Sequence, residues 1–323
     1  ARKNSTTNKI MWLDSDDVML PQHRNSFLND IEMVKKEEYR NVMVWRMPYS
    51  LVYQQDGKPD MFFMRERIFD RENIEWRGAV HEMTFPFIQM TKHADIHDTY
   101  ITHMPIKPQY ASASRNIEIL ESEYEKDPEN IQVKFFLGRD YLLSGKGDNG
   151  VVLLEEVMSE LKTGSEMLYA IAIELAWYYS YGSQLPRPGL NKYCKENSLK
   201  IESYCRLALA FSFNFADPYI LIGDTYFYRG DIGSATRMYL TALKKGKNNN
   251  IFKSVTLCGE VPCDRLTTAY EYRGLFGMAL HYNKQAIRHN KLEEYIQKRK
   301  NIINLIIEES NGLCKDNPEK CNS

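Results

Sequence analysis

Apolar and polar positions follow two regimes along the chain, strand-like and mixed over the first hundred or so residues and helical after residue 111. Residues 10–13 (IMWL) form a short apolar run that stops abruptly at the acidic cluster Asp14-Ser15-Asp16-Asp17. Such a run reads as a buried strand whose carboxyl end opens onto something polar. Pro21 then suits the first position of a helix, with Phe27, Leu28, Ile31 and Val34 as its apolar stripe and Lys35-Lys36-Glu37-Glu38 as its end. Residues 41–53 and 61–69 are apolar–aromatic runs separated by Gln55-Asp56-Gly57-Lys58-Pro59. Asp-Gly between two such runs predicts a hairpin. A last strand is expected at residues 99–104, before Pro105 and Pro108, which mark a boundary.

Beyond that boundary the helical pattern repeats. The frame Tyr-x-x-x-Gly occurs at Tyr141/Gly145, Tyr178/Gly182, Tyr226/Gly230 and Tyr270/Gly274. Pro218, Tyr226, Gly230, Ala235 and Ala242 have counterparts, at one constant offset, in Pro262, Tyr270, Gly274, Ala279 and Ala286. The first copy keeps Gly138 where the third has Gly223. A helix–turn–helix unit explains this spacing: Tyr packs inside the first helix, Gly permits the tight turn, and Ala lets the second helix approach closely. The periods of 37, 48 and 44 residues exceed the tetratricopeptide 34, so extra residues such as 183–191 must bulge from one edge. The expected architecture is an α/β part with a mixed sheet over residues 1–108, followed by an all-α tetratricopeptide-like solenoid over residues 109–323.

Composition narrows the function classes. The chain has 323 residues, 43% hydrophobic and 26% charged, with a formal net charge of −1, which excludes disorder and supplies no general basic field for nucleic acid. Nothing approaches an uninterrupted membrane-spanning run, and the first ten residues carry no signal-peptide core, so a cytoplasmic protein with no membrane span is expected. Six cysteines are too dilute for a disulfide scaffold and read as free thiols. Twenty-one tyrosines, mostly in the second half, are available for packing and for contacts.

Four features carry candidate chemistry. Asp14 and Asp16 offer hard oxygen ligands for Mg²⁺ or Mn²⁺, or else belong to a helix cap. Trp76-Arg77-Gly78-Ala79-Val80-His81-Glu82 combines a glycine that permits close backbone approach with an imidazole and a carboxylate, or is a solvated turn. His103 lies in an apolar strand, as a satisfied edge residue or as a ligand. Arg65 and Arg67, two apart on one strand, face the same side and either bind phosphate or pair with nearby carboxylates.

Taken in order, these segments resemble a known family. ARKNSTTNKIMWLDSDDVMLPQ is similar to the "aRN…imWLDaDDvilp" segment of family-two glycosyltransferases, which have the GT-A fold. FFMRERIF followed by IEWRGAVHE resembles the "RERi…W.G.VHE" block of the branch bearing C-terminal tetratricopeptide repeats. ITHMP before RNIEIL resembles its "i.H…RN..iL" junction, and VPCDRLTTAYEYRGLFGMALHYNKQA its late repeat. The resemblance implies that Asp14 and Asp16 hold the metal on a nucleotide-diphosphate sugar, a UDP-sugar above all, and that His103 completes that site. Gly78 would line the acceptor side, and Glu82 would be the general base, with His81 the competing assignment. Arg2 would stand near the donor, although Lys3 intrudes before Asn4, and Arg65 and Arg67 would lie toward its phosphates. The expected function is therefore inverting, metal-dependent transfer of a sugar to a protein, peptide or glycan acceptor positioned by the repeats. The alternative is a non-catalytic tetratricopeptide interaction protein carrying a degenerate glycosyltransferase remnant. The family's nucleotide-gripping β-α-β half does not precede Ala1, so the chain alone is expected to bind no nucleotide sugar.

Overall fold

A computed structural model describes residues 6–53, 59–78, 80, 83–85, 92–104, 109–161, 166–182, 193–211, 213–245, 253–254, 259–289 and 293–316. The expected boundary at 108/109, the Asp-Gly turn and the bulge at 183–191 lie at or outside the limits of these residues. The chain forms two compact units, residues 1–153 with 250–253, and residues 154–249 with 254–323.

The first unit is built on a mixed sheet. Its strands within residues 9–103 are β1 (Lys9–Met11), β2 (Asp17–Val18), β3 (Val44–Tyr53), β4 (Pro59–Asp70), β7 (His93–Asp95) and β8 (Ile101–His103), while β5 (Glu75–Arg77) and β6 (Met83–Phe85) form a separate ribbon. The order runs β1-β4-β3-β8-β2, and β7 lies beside β3 next to β8. β3 and β4 make the long antiparallel pair that the two apolar–aromatic runs predict. β7 and β8 run parallel to β3, whereas β1 pairs antiparallel with β4, and β2 antiparallel with β8. Of the IMWL run, only Ile10 and Met11 belong to this half-buried strand at the end of the sheet path; Trp12 and Leu13 follow it, and Leu13 is exposed, so the expected buried strand is shorter than the run.

Both faces of β3 are covered, which is why its burial is nearly continuous rather than alternating. Val34 of α1 (Arg24–Val34) packs with Trp45, Met47, Tyr49, Ile68, Ile96 and Ile101, and Phe27 and Ile31 of the same helix pack against this group. Leu28, expected in that stripe, turns to solvent. It stands one residue past Phe27, about 100° around the helix. Pro21 opens a short 3₁₀ turn ahead of α1, where its missing N–H costs nothing. Val44, Phe69 and Ile74 make a second cluster with Ile10 and Trp12. The unit continues with α2 (Gln109–Lys126), α3 (Ile131–Leu143) and the start of α4 (Gly147–Glu160), which pack through Ile117, Leu120, Leu137, Tyr141 and Leu153.

The second unit is helical: α5 (Glu166–Tyr181), α6 (Tyr193–Glu196), α7 (Ser198–Phe211), α8 (Asp217–Tyr228), α9 (Ile232–Lys245), α10 (Val261–Tyr272), α11 (Phe276–His289) and α12 (Glu293–Asp316). α5 pairs with α7, α8 with α9, and α10 with α11, and each pair stacks on the next. Pro218 and Pro262 open α8 and α10, the position proline tolerates best. Of the four motif glycines, Gly145 belongs to the first unit and the other three to the second. All four have φ between 68° and 85°, the left-handed turn that L-residues resist. Ala235, Ala242, Ala279 and Ala286 are fully buried, as close helix approach requires. At Gly223 a Cβ would collide with the Tyr239 ring, so only glycine fits. Among the described residues no helix is long and apolar enough to cross a membrane.

Candidate functional site

The acidic cluster of the first unit is held by a tight turn between β1 and β2. The Asp17 backbone N–H donates to the Asp14 carbonyl at 3.1 Å, and the Asp14 N–H returns to Asp17 Oδ2 at 3.0 Å. Because β2 pairs antiparallel with β8, Asp17 stands directly opposite His103. The Asp16 carbonyl accepts from the Met104 N–H at 2.8 Å, which brings the neighbouring carboxylate to the same ring. His103 Nδ1 is 3.8 Å from Asp16 Oδ1 and 3.6 Å from Asp17 Oδ1. One ligand atom from each of Asp16, Asp17 and His103 lies within 4.8 Å of the others.

An aromatic–guanidinium layer lies against this cluster. The Arg67 side chain is fully buried, with Nη2 2.7 Å from Asp17 Oδ2 and its guanidinium 4.4 Å from the ring centres of both Trp12 and Tyr49. Arg65 faces the same rings at 4.8 and 5.0 Å, and its Nη1 is 3.7 Å from Asp14 Oδ2. Tyr49 donates its hydroxyl to Asp17 Oδ1 at 2.8 Å, and Trp12 donates its indole N–H to the Glu66 carbonyl at 2.8 Å. Burial pushes the Tyr49 hydroxyl well above its ordinary range, reinforced by the bond to Asp17. Burial lowers Arg67 against the pull of Asp17, and raises the Asp14 carboxyl against Arg65.

The residues present fit a divalent cation. His103 Nδ1 is a buried nitrogen with no hydrogen-bond partner, facing two carboxylates. The remaining sequence candidates fall as follows. Asp14 turns toward Arg65 rather than toward His103. Arg65 and Arg67 do share one side of β4 and take up Asp14 and Asp17. Gly78 is exposed just after β5, with φ 105°. Arg2, His81 and Glu82 lie outside the described residues. Asp17, Tyr49 and Trp12 were not singled out by motif, although the run IMWLDSDD places Trp12 and Asp17 beside the acidic pair and Tyr49 lies on the long β3 run. Cys194, Cys205 and Cys263 are buried free thiols, and nothing is described of the side chains of Cys258, Cys314 and Cys321.

The second unit contains a different polar centre. Buried Arg265 donates from Nε to Asp224 Oδ1 at 2.9 Å and from Nη2 to the Tyr181 hydroxyl at 2.6 Å. Tyr239 donates to Asp224 Oδ1 at 2.8 Å. Lys298 of α12 donates to Asp264 Oδ1 at 2.8 Å and to Thr268 Oγ1 at 2.7 Å. These bonds tie successive helices together.

No family model matches the chain, and no curated protein matches it. Solved structures do. MamA is 17% identical and covers 58% of this chain and 95% of its own, with a TM-score of 0.40. A thermophilic TPR protein of Thermus thermophilus, TTC0263, is 13% identical over 62% of this chain and 94% of its own, with a TM-score of 0.40. YrrB, a TPR protein with an unusual peptide-binding site, is 12% identical over 59% of this chain and 84% of its own, with a TM-score of 0.40. These findings correct the main functional expectation. TTC0263 and YrrB are repeat proteins and nothing found supports transfer from a nucleotide sugar, so that expectation is set aside and the repeat-protein alternative fits better.

Proposed function

We propose that the chain is a helical-repeat scaffold engaging a protein or peptide partner. The observation that carries this reading is an aromatic–apolar ridge on the second unit. Phe227 at the end of α8 meets Tyr272 at the end of α10 edge-on, with ring centres 5.8 Å apart. The ridge runs on through the turn into α11: Tyr272 is 72% exposed, Leu275 43% and Met278 42%. Exposed apolar residues spanning two repeats are a docking surface in chemistry, since aromatics and methionine are what interface centres favour. A repeat array presents such positions at a regular spacing along one edge.

The test is selection of displayed peptides on the whole chain, with binding followed by fluorescence anisotropy. The expected outcome is a short enriched motif of micromolar Kd, about −8 kcal/mol. Replacing Tyr272 and Leu275 together by serine should weaken it at least about tenfold, roughly 1.4 kcal/mol, with the helical circular dichroism unchanged. Peptides that bind the double variant as tightly as the parent overturn the assignment.

A second reading concerns the first unit and rests on the unpartnered Nδ1 of His103. Asp16, Asp17 and His103 would hold a divalent cation, which would neutralise the two carboxylates and pin the β1–β2 turn to β8. One imidazole beside carboxylates suits Mn²⁺ better than Mg²⁺.

A further inference from the structure

The second helices of two successive repeats, α9 and α11, are built without a carboxylate. α9 reads IGSATRMYLTALKK and α11 reads FGMALHYNKQAIRH. Their buried sides match at the offset of 44 residues, with Ala235 and Ala242 of α9 equivalent to Ala279 and Ala286 of α11. Equivalent positions of stacked repeats face the same way, so the exposed residues of the two helices belong to one surface. On α9 these are Gly233, Arg237 and Lys244. α11 repeats the order with Gly277, His281 and Arg288 at the matching positions, and adds Lys284.

This surface works against the stability of its own helices. Lys284 and Arg288 are four residues apart, a like-charge pair on one helix face. Among the described residues Arg237, Lys244, Lys284 and Arg288 form no ion pair; Arg237 donates to Ser234 Oγ at 2.8 Å. Asp231, just before α9, accepts from the Ser234 N–H at 2.9 Å and feels the Arg237 charge without pairing with it. Glu293 and Glu294 open α12 and likewise form no ion pair with these cations among the described residues. The glycines have no packing reason either. A Cβ on Gly277 would meet nothing within 4 Å, and one on Gly233 only Asp231 Oδ1 at 3.7 Å. Unlike Gly223, the pair is not required by a neighbour; it leaves a bare backbone open to close approach.

We propose that the outer faces of α9 and α11 dock an acidic segment of a partner protein, lying lengthwise along the two helices. Its backbone passes close at Gly233 and Gly277, and its carboxylates meet Arg237, Lys284, Lys244 and Arg288. From Gly233 to Lys244 is about 16 Å of helix, the length of about five residues of extended chain. The cations are spaced for such a segment rather than for duplex DNA, which brings one charge per about 1.7 Å. Met278 is the one large apolar side chain exposed on these two helices, too little to enter a bilayer. The surface uses other side chains than the Phe227–Tyr272–Leu275–Met278 ridge, so it stands or falls separately from it.

Fluorescence anisotropy of a labelled decapeptide of alternating aspartate and glutamate, titrated with the full chain, tests this. The expected result is saturable one-to-one binding that weakens as salt rises, because the cations are exposed. Lys244→Glu together with Arg288→Glu should raise the Kd by at least about tenfold, since carboxylates then face carboxylates. Arg24→Glu together with Lys36→Glu makes the same change in net charge at exposed positions of the first unit, and should shift the Kd by less than about twofold. All four positions are exposed, so circular dichroism should be unchanged. Oligothymidylate and vesicles of phosphatidylserine with phosphatidylcholine are the rival anions, and each should bind more weakly than the peptide. No saturation by the peptide, no greater loss in the α9–α11 variant than in the first-unit variant, or tighter capture by either rival overturns the proposal.

Discussion

Replacing Arg265 with methionine isolates what holds the repeat interior together. The guanidinium is fully buried and donates to three partners: Asp224 Oδ1 at 2.9 Å, the Tyr181 hydroxyl at 2.6 Å and Asp264 Oδ2 at 3.2 Å. Asp224 is fully buried as well, and accepts from Tyr239 at 2.8 Å and Tyr181 at 3.2 Å. Helices α5, α8, α9 and α10 therefore meet at one carboxylate and one guanidinium. Burial pulls the Arg265 guanidinium down, but Asp224, first among the groups that oppose it, together with Tyr181, Asp264 and Tyr239 leaves it well above its ordinary range. Conversely, burial pulls the Asp224 carboxyl up, with Arg265 first among the groups that oppose it.

Methionine keeps much of the apolar stem and removes the charge. Asp264 retains Lys298, so the loss falls on Asp224, left with hydroxyl donors and no cation. Removing one partner of a buried pair costs about 3–5 kcal/mol. The cost should depend on pH, with a definite sign. Without Arg265 the folded-state pKa of Asp224 rises further above its unfolded value, so the native state keeps a proton that the unfolded chain has released. Stability is then fully present below the unfolded pKa and falls as pH rises, by about 1.4 kcal/mol per pH unit, until the folded pKa is passed. Urea unfolding followed by circular dichroism at about pH 5 and about pH 7.5 reads this directly. The variant should lose more stability at the higher pH, and adding Asp224→Asn should remove the extra pH dependence. An equal loss at both pH values, or a loss under about 1 kcal/mol, refutes the reasoning.

Two smaller tests follow from the geometry. Gly223→Ala should cost about 1–3 kcal/mol through the clash with Tyr239, whose ring is fixed by its bond to Asp224. Gly230→Ala, with open space but φ 85°, should cost about 1 kcal/mol through backbone strain alone, and thermal unfolding that ranks the two in the opposite order contradicts this. Mn²⁺ should raise the unfolding temperature of the parent chain and leave that of Asp16→Asn unmoved; an equal rise in both places the ion elsewhere.

The repeat register was legible because its signals are local. A left-handed turn demands glycine wherever it occurs, so Gly145, Gly182, Gly230 and Gly274 marked the turns without any knowledge of what packs around them. Alanine at a close helix crossing is likewise a pairwise requirement, and Ala235 and Ala279 are fully buried. The interior charges were not legible. Asp224 and Arg265 are 41 residues apart, and in a pattern of polar and apolar positions both read as surface. They meet only because consecutive first helices stack, which is a property of the array and of no single segment.

The acidic cluster was half legible for a related reason. Asp14 and Asp16 were paired by assuming a strand, in which residues two apart share a face. The chain instead turns at Ser15 and Asp16, and the turn's closing bonds run from Asp17 to Asp14. Alternation stops at a turn, so Asp14 is released toward Arg65 while Asp16 swings beside His103. Asp17 starts the next strand, and antiparallel pairing sets it opposite His103. The contact between Asp17 and His103 depends on a strand pairing across 86 residues, 17 to 103, that no run of apolar residues announces. Once Arg67 and Tyr49 have taken Asp17 Oδ2 and Oδ1, its carboxylate is fixed in place. On the proposed metal reading, Asp17 would be a pre-organised ligand and Asp16, with fewer constraints, the residue left to adjust to an ion.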